Sequence, residues 1–164
     1  MSRLAALAIA LALGACAAQA DARTDCYAKS GDAAIRACTE AIALNPRDAV
    51  SHVNRAYEHL QKGDHARSIA DYSKAIEIDP ARWDAFQGRA WAYLKAGKAE
   101  QGLADAEASL KLKPNAAQTL DTRGHILEAL GRREEAIADF RRALAIEPRL
   151  SGSWDALRRL GITR

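Results

Sequence analysis

The chain has 164 residues, a formal net charge of only +3 and 5% aromatic residues, enough for one compact domain. So even a charge balance argues against a dedicated nucleic-acid binder. The four histidines form no close ligand set, no Gly-rich phosphate loop follows a strand, and no Ser or Cys nucleophile has a partnering base. The sequence therefore points away from an enzyme and calls for no cofactor.

The first element in chain order is a leader rather than part of a fold. Arg3 precedes an apolar run from Leu4 to Leu13, followed by small residues, the layout of a bacterial secretory signal. A run of about ten residues is half of what a membrane-crossing helix needs. Two cleavage readings compete. Ala18-Gln19-Ala20 is a small-x-small site before Asp21, whereas Leu13-Gly14-Ala15-Cys16 resembles a lipoprotein lipobox, which implies lipid on Cys16 and delivery to the outer membrane. The expected location is periplasmic or secreted on the first reading and the outer membrane on the second. Loss of residues 1–20 removes only Arg3 among the charges, leaving 23 basic and 21 acidic residues.

Either cleavage leaves Cys26 and Cys38 as an even pair in an exported chain, and oxidising compartments favour a bridge between them. Closing a loop of this size contributes on the order of 3 kcal/mol through lost unfolded-state entropy.

Beyond the cysteines the chain is periodic. Pro46, Pro80, Pro114 and Pro148, all the prolines present, recur at one constant interval. Gly63, Gly97 and Gly131 keep the same interval, each standing midway between two successive prolines. A strict period in this range is the mark of a repeat architecture. Ile69, Tyr72 and Ile76, and later Ile137, Phe140 and Leu144, follow the helical spacing of apolar residues. The glycine stops a first helix and the proline ends a second, so each unit is predicted to be a helical hairpin.

The segments YEHLQKGDHARSIADYSKAIEIDP and ILEALGRREEAIADFRRALAIEP resemble tetratricopeptide repeats. The likeness spans residues 49–148 and implies an all-α, right-handed solenoid of antiparallel hairpins. Its units are a leader at 1–20, an N-terminal half repeat at 21–48, repeats at 49–82, 83–116 and 117–150, and a capping helix at 151–164. The aromatic slots are kept by Phe86, Tyr93, Tyr72 and Phe140 but not by His52, His59 or Ala106, which predicts looser packing in the first and central units. The small slot is kept by Ala56, Ala90 and Gly124.

One departure is itself periodic. Arg55, Arg89 and Arg123 stand where the family pattern has Leu, and Asp71, Asp105 and Asp139 follow them at the same offset each time. An Arg–Asp pair between the two helices of every hairpin is expected, with a basic binding stripe as the alternative. At the ends, Ala34, Ile35, Ala41, Ile42 and Leu44 reproduce a second helix whose partner is cut to roughly residues 22–29, and Trp154, Leu157 and Leu160 line one face of a short helix that covers the last unit.

The resemblance places partner binding on the concave face made by the first helices. That face is expected to carry Val53, Tyr57 and Gln61, then Gln87, Trp91 and Lys95, then Asp121, His125 and Glu128. Tyr57, Trp91 and His125 are spaced by the same interval as the prolines and predict a row of rings along the groove, either anchors for a protein or peptide or packing for neighbouring hairpins. Some relatives clamp a C-terminal carboxylate with Lys, Asn and Arg there; Val53, Tyr57, Gln87 and Trp91 fill those slots here and do not support it. The competing expectations are self-association into a homo-oligomer through an exposed Trp154 or an uncapped hairpin face, and metal carriage by His59 and His65, which a solvated turn at Gly63 explains as well.

Overall fold

A computed structural model describes residues 21–162. The leader, its two cleavage sites and Cys16 lie outside the described residues. Helix α1 occupies residues 21–28, and α2 is Gly31–Leu44. Three hairpins follow: α3 (Ala49–Gln61) with α4 (His65–Ile78), α5 (Trp83–Lys95) with α6 (Ala99–Leu112), and α7 (Ala117–Ala129) with α8 (Arg133–Ile146). The last helix, α9, is Ser151–Arg159. Consecutive helices pack antiparallel, and α3, α5, α7 and α9 also touch in succession, so the first helices line one side of a right-handed solenoid.

Chain punctuation is as the sequence predicts. Gly63, Gly97 and Gly131 have φ of 77°, 73° and 74°, a left-handed turn that only glycine enters freely. Each lets the next amide reach back along the helix: Asp64 to the His59 carbonyl at 2.9 Å, Lys98 to Tyr93 at 2.9 Å and Arg132 to Leu127 at 2.8 Å. This closes the first helix of each hairpin with its last carbonyls satisfied. The second helices end two residues before a proline, whose missing N–H and fixed φ start the turn into the next unit.

The core is built from small residues met by a few rings. Ala56 and Ala90 are fully buried, and a Cβ on Gly124 would stand 2.6 Å from the Phe140 ring. The small slot is thus a steric requirement of the aromatic that crosses to it. In the central unit Ala106 takes the position of Tyr72 and Phe140, and Ile126 from the next hairpin packs against Ala106 and Ala90. The buried His52 has lost an aromatic contact and gained polar ones, its Nε2 at 3.2 Å from the Pro46 carbonyl and its Nδ1 at 3.4 Å from Asp71.

All three Arg–Asp pairs form. Arg55 donates twice to Asp71 at 2.7 Å, Arg89 to Asp105 at 2.7 and 2.8 Å, and Arg123 to Asp139 at 2.6 and 2.8 Å. Each is a two-pronged, charge-assisted contact that ties the first helix of a hairpin to the second. Burial acts to raise the pKa of Asp71, but the hydrogen bonds of Arg55 and His52 outweigh it and hold the carboxyl below its usual range. The hydrogen bonds to Asp105 and Asp139 likewise raise the guanidinium pKa of Arg89 and Arg123.

The two ends differ in construction. At the start, Cys26 on α1 is bonded to Cys38 on α2, with Cα atoms 4.5 Å apart; both cysteines are buried beside Ala37. At the far end Ala156, Leu157 and Leu160 are buried against Leu127, Phe140 and Leu144, giving the third hairpin an apolar cover.

Candidate functional site

The first helices open onto a pocket of about 260 Å³ between α3, α5 and α7. Five of the predicted groove residues line it: Tyr57, Gln61, Gln87, Trp91 and Asp121. They come together because positions four apart on one helix share a face, and the repeat period returns that face on the next first helix. Val53, Lys95, His125 and Glu128 lie on the same helices but do not line the pocket. Val53 is packed on the α3–α5 core.

The predicted row of rings is present, and its members differ. Tyr57 is 52% exposed. Trp91 is half-buried and meets His125 edge-to-face, with centroids 5.6 Å apart, while Lys95 Nζ sits 4.5 Å from the Trp91 ring centre. His125 in turn touches Phe140 at 4.9 Å. Burial pushes the His125 pKa down, against the pull of Asp121 and Glu128, so the imidazole is neutral at neutral pH. The row thus runs from a free ring to one stacked inside the fold.

Sequence reasoning missed the fourth member. Arg159, one full repeat interval beyond His125, donates to Glu128 from two guanidinium nitrogens, at 2.9 and 2.6 Å, and this hydrogen bond lowers the Glu128 pKa. Extending the period past Pro148 was the signal that would have found it. The two carboxylates at this end of the groove, Asp121 and Glu128, accordingly differ. Glu128 is neutralised by the last helix, whereas Asp121 accepts, among the described residues, the Ser153 hydroxyl at 2.6 Å and lies 3.8 Å from His125.

Two further pocket residues were also missed. Tyr72, on α4, is 3% exposed, yet reaches between the first helices to line the pocket. A Cβ on Gly88 would stand 2.3 Å from its ring, so Gly88 is the gap through which Tyr72 passes. Burial, with smaller contributions from Tyr57 and Asp84, raises the phenol pKa, and the hydroxyl stays protonated. Thr122, on α7, accepts a hydrogen bond from the Gln87 amide at 2.9 Å, which turns the Gln87 carbonyl free. Neither Gly88 nor Tyr72 has a periodic counterpart of the same chemistry, so the repeat gave no hint of their contact.

Trp154, placed by the sequence on the covering face of the last helix and required to be exposed by the self-association reading, is half-buried. It packs on the C-terminal cluster and its indole N–H donates to the Pro148 carbonyl at 2.9 Å. Among the described residues no group of three or more His, Cys, Asp or Glu could hold a metal ion, and none of their helices is long and apolar enough to cross a membrane.

Stacked helical hairpins with a lined concave groove define a short α-solenoid. Residues 49–82 and 117–150 each match the tetratricopeptide repeat, so the chain carries tetratricopeptide repeats. Among solved structures it is similar to the second such domain of human RPAP3, in complex with the HSP70 peptide SGPTIEEVD, at 28% identity and a TM-score of 0.64, over 69% of this chain and 94% of that one. The first domain of human RPAP3 is 25% identical with a TM-score of 0.68, over 71% and 92% of the two chains. The Arabidopsis OM64 domain is 25% identical with a TM-score of 0.65, over 68% and 93%. No curated protein matches the chain.

Proposed function

We propose that this chain is a non-enzymatic interaction module of the bacterial cell envelope that binds a segment of a partner protein in its concave groove. The observation that carries the reading is the pocket between α3, α5 and α7, lined by Tyr57, Trp91 and side-chain amides. Half-exposed rings with amides at their edges are the composition of a peptide-binding hot spot. The related RPAP3 domain, of the same architecture, was solved holding a peptide.

The envelope part of the reading rests on the leader-like residues 1–20 and on the cysteine pair that an oxidising compartment would join. Intact mass of the native protein tests it. A mass beginning at Asp21 or Arg23 means a soluble periplasmic adaptor, one beginning at a lipid-bearing Cys16 means an anchored one, and a mass that includes Arg3 rejects export.

Binding is tested by recovery of partners on immobilised protein. Trp91→Ala and Tyr57→Ala are expected to lose the partner that the wild type retains, and equal recovery by wild type and both variants rejects the groove.

A further inference from the structure

The pocket has an unusual charge composition. Among the described residues, Asp121 is the single ionisable side chain lining it apart from two tyrosines, and no Lys, Arg or His does so. Asp121 is 18% exposed at the side chain, and its contact from α9 is a neutral hydroxyl, Ser153. The nearest imidazole, His125, is kept uncharged by burial. The cations elsewhere on this face are engaged: Lys95 lies over the Trp91 ring and Arg159 is held by Glu128. A carboxylate without a cation, in a partly desolvated pocket, is the arrangement that gains most from an incoming positive charge.

The neutral groups around it are suited to the same guest. Among the described residues no hydrogen bond is made by the Tyr72 hydroxyl, although that side chain is almost wholly buried and faces the pocket. Gln87 spends its N–H on Thr122 and so offers its carbonyl oxygen. Tyr57 and Trp91 supply ring faces and edges at the mouth. Two oxygens that accept, one carboxylate and aromatic walls match a guanidinium or ammonium group with its aliphatic stem.

We propose that this pocket receives an Arg or Lys side chain of the bound segment, with Asp121 as counter-charge, the Gln87 carbonyl and Tyr72 hydroxyl as acceptors, and Tyr57 and Trp91 as its walls. The inference rests on the groove reading above and gives it a polarity opposite to that of a site that captures carboxylates. A peptide such as the acidic SGPTIEEVD held by the RPAP3 domain would meet repulsion here and no cation to pair with.

The test uses three matched peptides, acetylated and amidated, with a central Arg, Gln or Glu between leucines, titrated into the purified protein by calorimetry. The Arg peptide is expected to bind at least tenfold more tightly than the Gln peptide, and the Glu peptide most weakly. Asp121→Asn keeps the shape and the Ser153 contact while removing the charge; it should bring the Arg peptide to within about threefold of the Gln peptide. Tyr72→Phe, which leaves the ring in place, should weaken the Arg peptide severalfold and leave the Gln peptide unchanged. Equal binding of all three peptides, lost in Trp91→Ala, overturns the cationic pocket and keeps the groove. Preference for the Glu peptide, or an Arg preference that survives Asp121→Asn, also overturns it. No binding of any peptide at millimolar concentration rejects groove and pocket together.

Discussion

Two sets of side chains recur once per repeat, and the fold treats them differently. The Arg–Asp pairs are near copies of one another: three bidentate contacts, each joining the two helices of its own hairpin. The row Tyr57, Trp91, His125 and Arg159 keeps the same spacing, but the environment changes at each step, from an open ring to an edge-to-face pair, a half-buried imidazole and an ion pair. Where both position and chemistry repeat, every hairpin has the same need and the residues answer to stability. Where position repeats and chemistry does not, the residues are freed from the fold's common demand and shape one particular surface.

The largest effect should come from breaking one of the repeated pairs. Asp105→Ala leaves Arg89 half-buried with the Ser73 hydroxyl as its remaining hydrogen-bond partner, and should cost about 3 kcal/mol, or roughly 6–12 °C in melting temperature for a chain of this size. The paired change Arg89→Met with Asp105→Leu should restore most of it, because an apolar pair carries no orphan charge. A melting temperature equal to that of the wild type in Asp105→Ala would erase the distinction between the two sets.

Gly88 lies where the two sets adjoin. Gly88→Ala drives a methyl into the Tyr72 ring and should destabilise by about 1–3 kcal/mol, the range for overpacking. The double variant Gly88→Ala with Tyr72→Ala should lose less than the sum of the two single changes, read from chemical denaturation.

A smaller effect separates the sets by pH. The folded pKa of Asp71 is depressed, so its contribution is present above the unfolded value of about 4 and is lost as pH falls through the folded value. Depression of the His125 pKa has the same sign in a higher window, since its protonation below about pH 6.5 works against the fold. Stability should decline slightly from pH 7 to 5, a slope removed by His125→Gln, and then steeply below pH 4, a loss reduced by Asp71→Asn with Arg55→Met. The smallest effect is expected at the open end of the row: Tyr57→Ala should stay within about 0.5 kcal/mol of wild type, as exposed positions do.

Most of the fold was legible in the sequence because repetition multiplies weak signals. One Gly or one Pro is ambiguous, but the spacing of Gly63, Gly97 and Gly131 against the prolines fixed every hairpin turn, and the coincident spacing of Arg and Asp fixed their pairing. The site was only half legible, for the same reason. Period and helical spacing brought Tyr57, Gln61, Gln87, Trp91 and Asp121 together, yet Tyr72 enters from a second helix through a gap at Gly88 that no other unit shares. The neutralising of Glu128 depends on α9, a helix shorter than those of the three hairpins, whose membership in the row is hidden because Arg replaces a ring. Trp154 was legible as cover, on one face with Leu157 and Leu160, and it packs on the C-terminal cluster.

The central claim is that the concave row serves binding while the repeated pairs serve the fold. Its most direct test measures partner recovery and melting temperature together for wild type, Trp91→Ala with Tyr57→Ala, and Asp105→Ala, below the melting point of all three. The account predicts that the groove variant melts within a few degrees of wild type and loses the partner, while Asp105→Ala melts early and retains it. Undiminished recovery by a stably folded groove variant would contradict it.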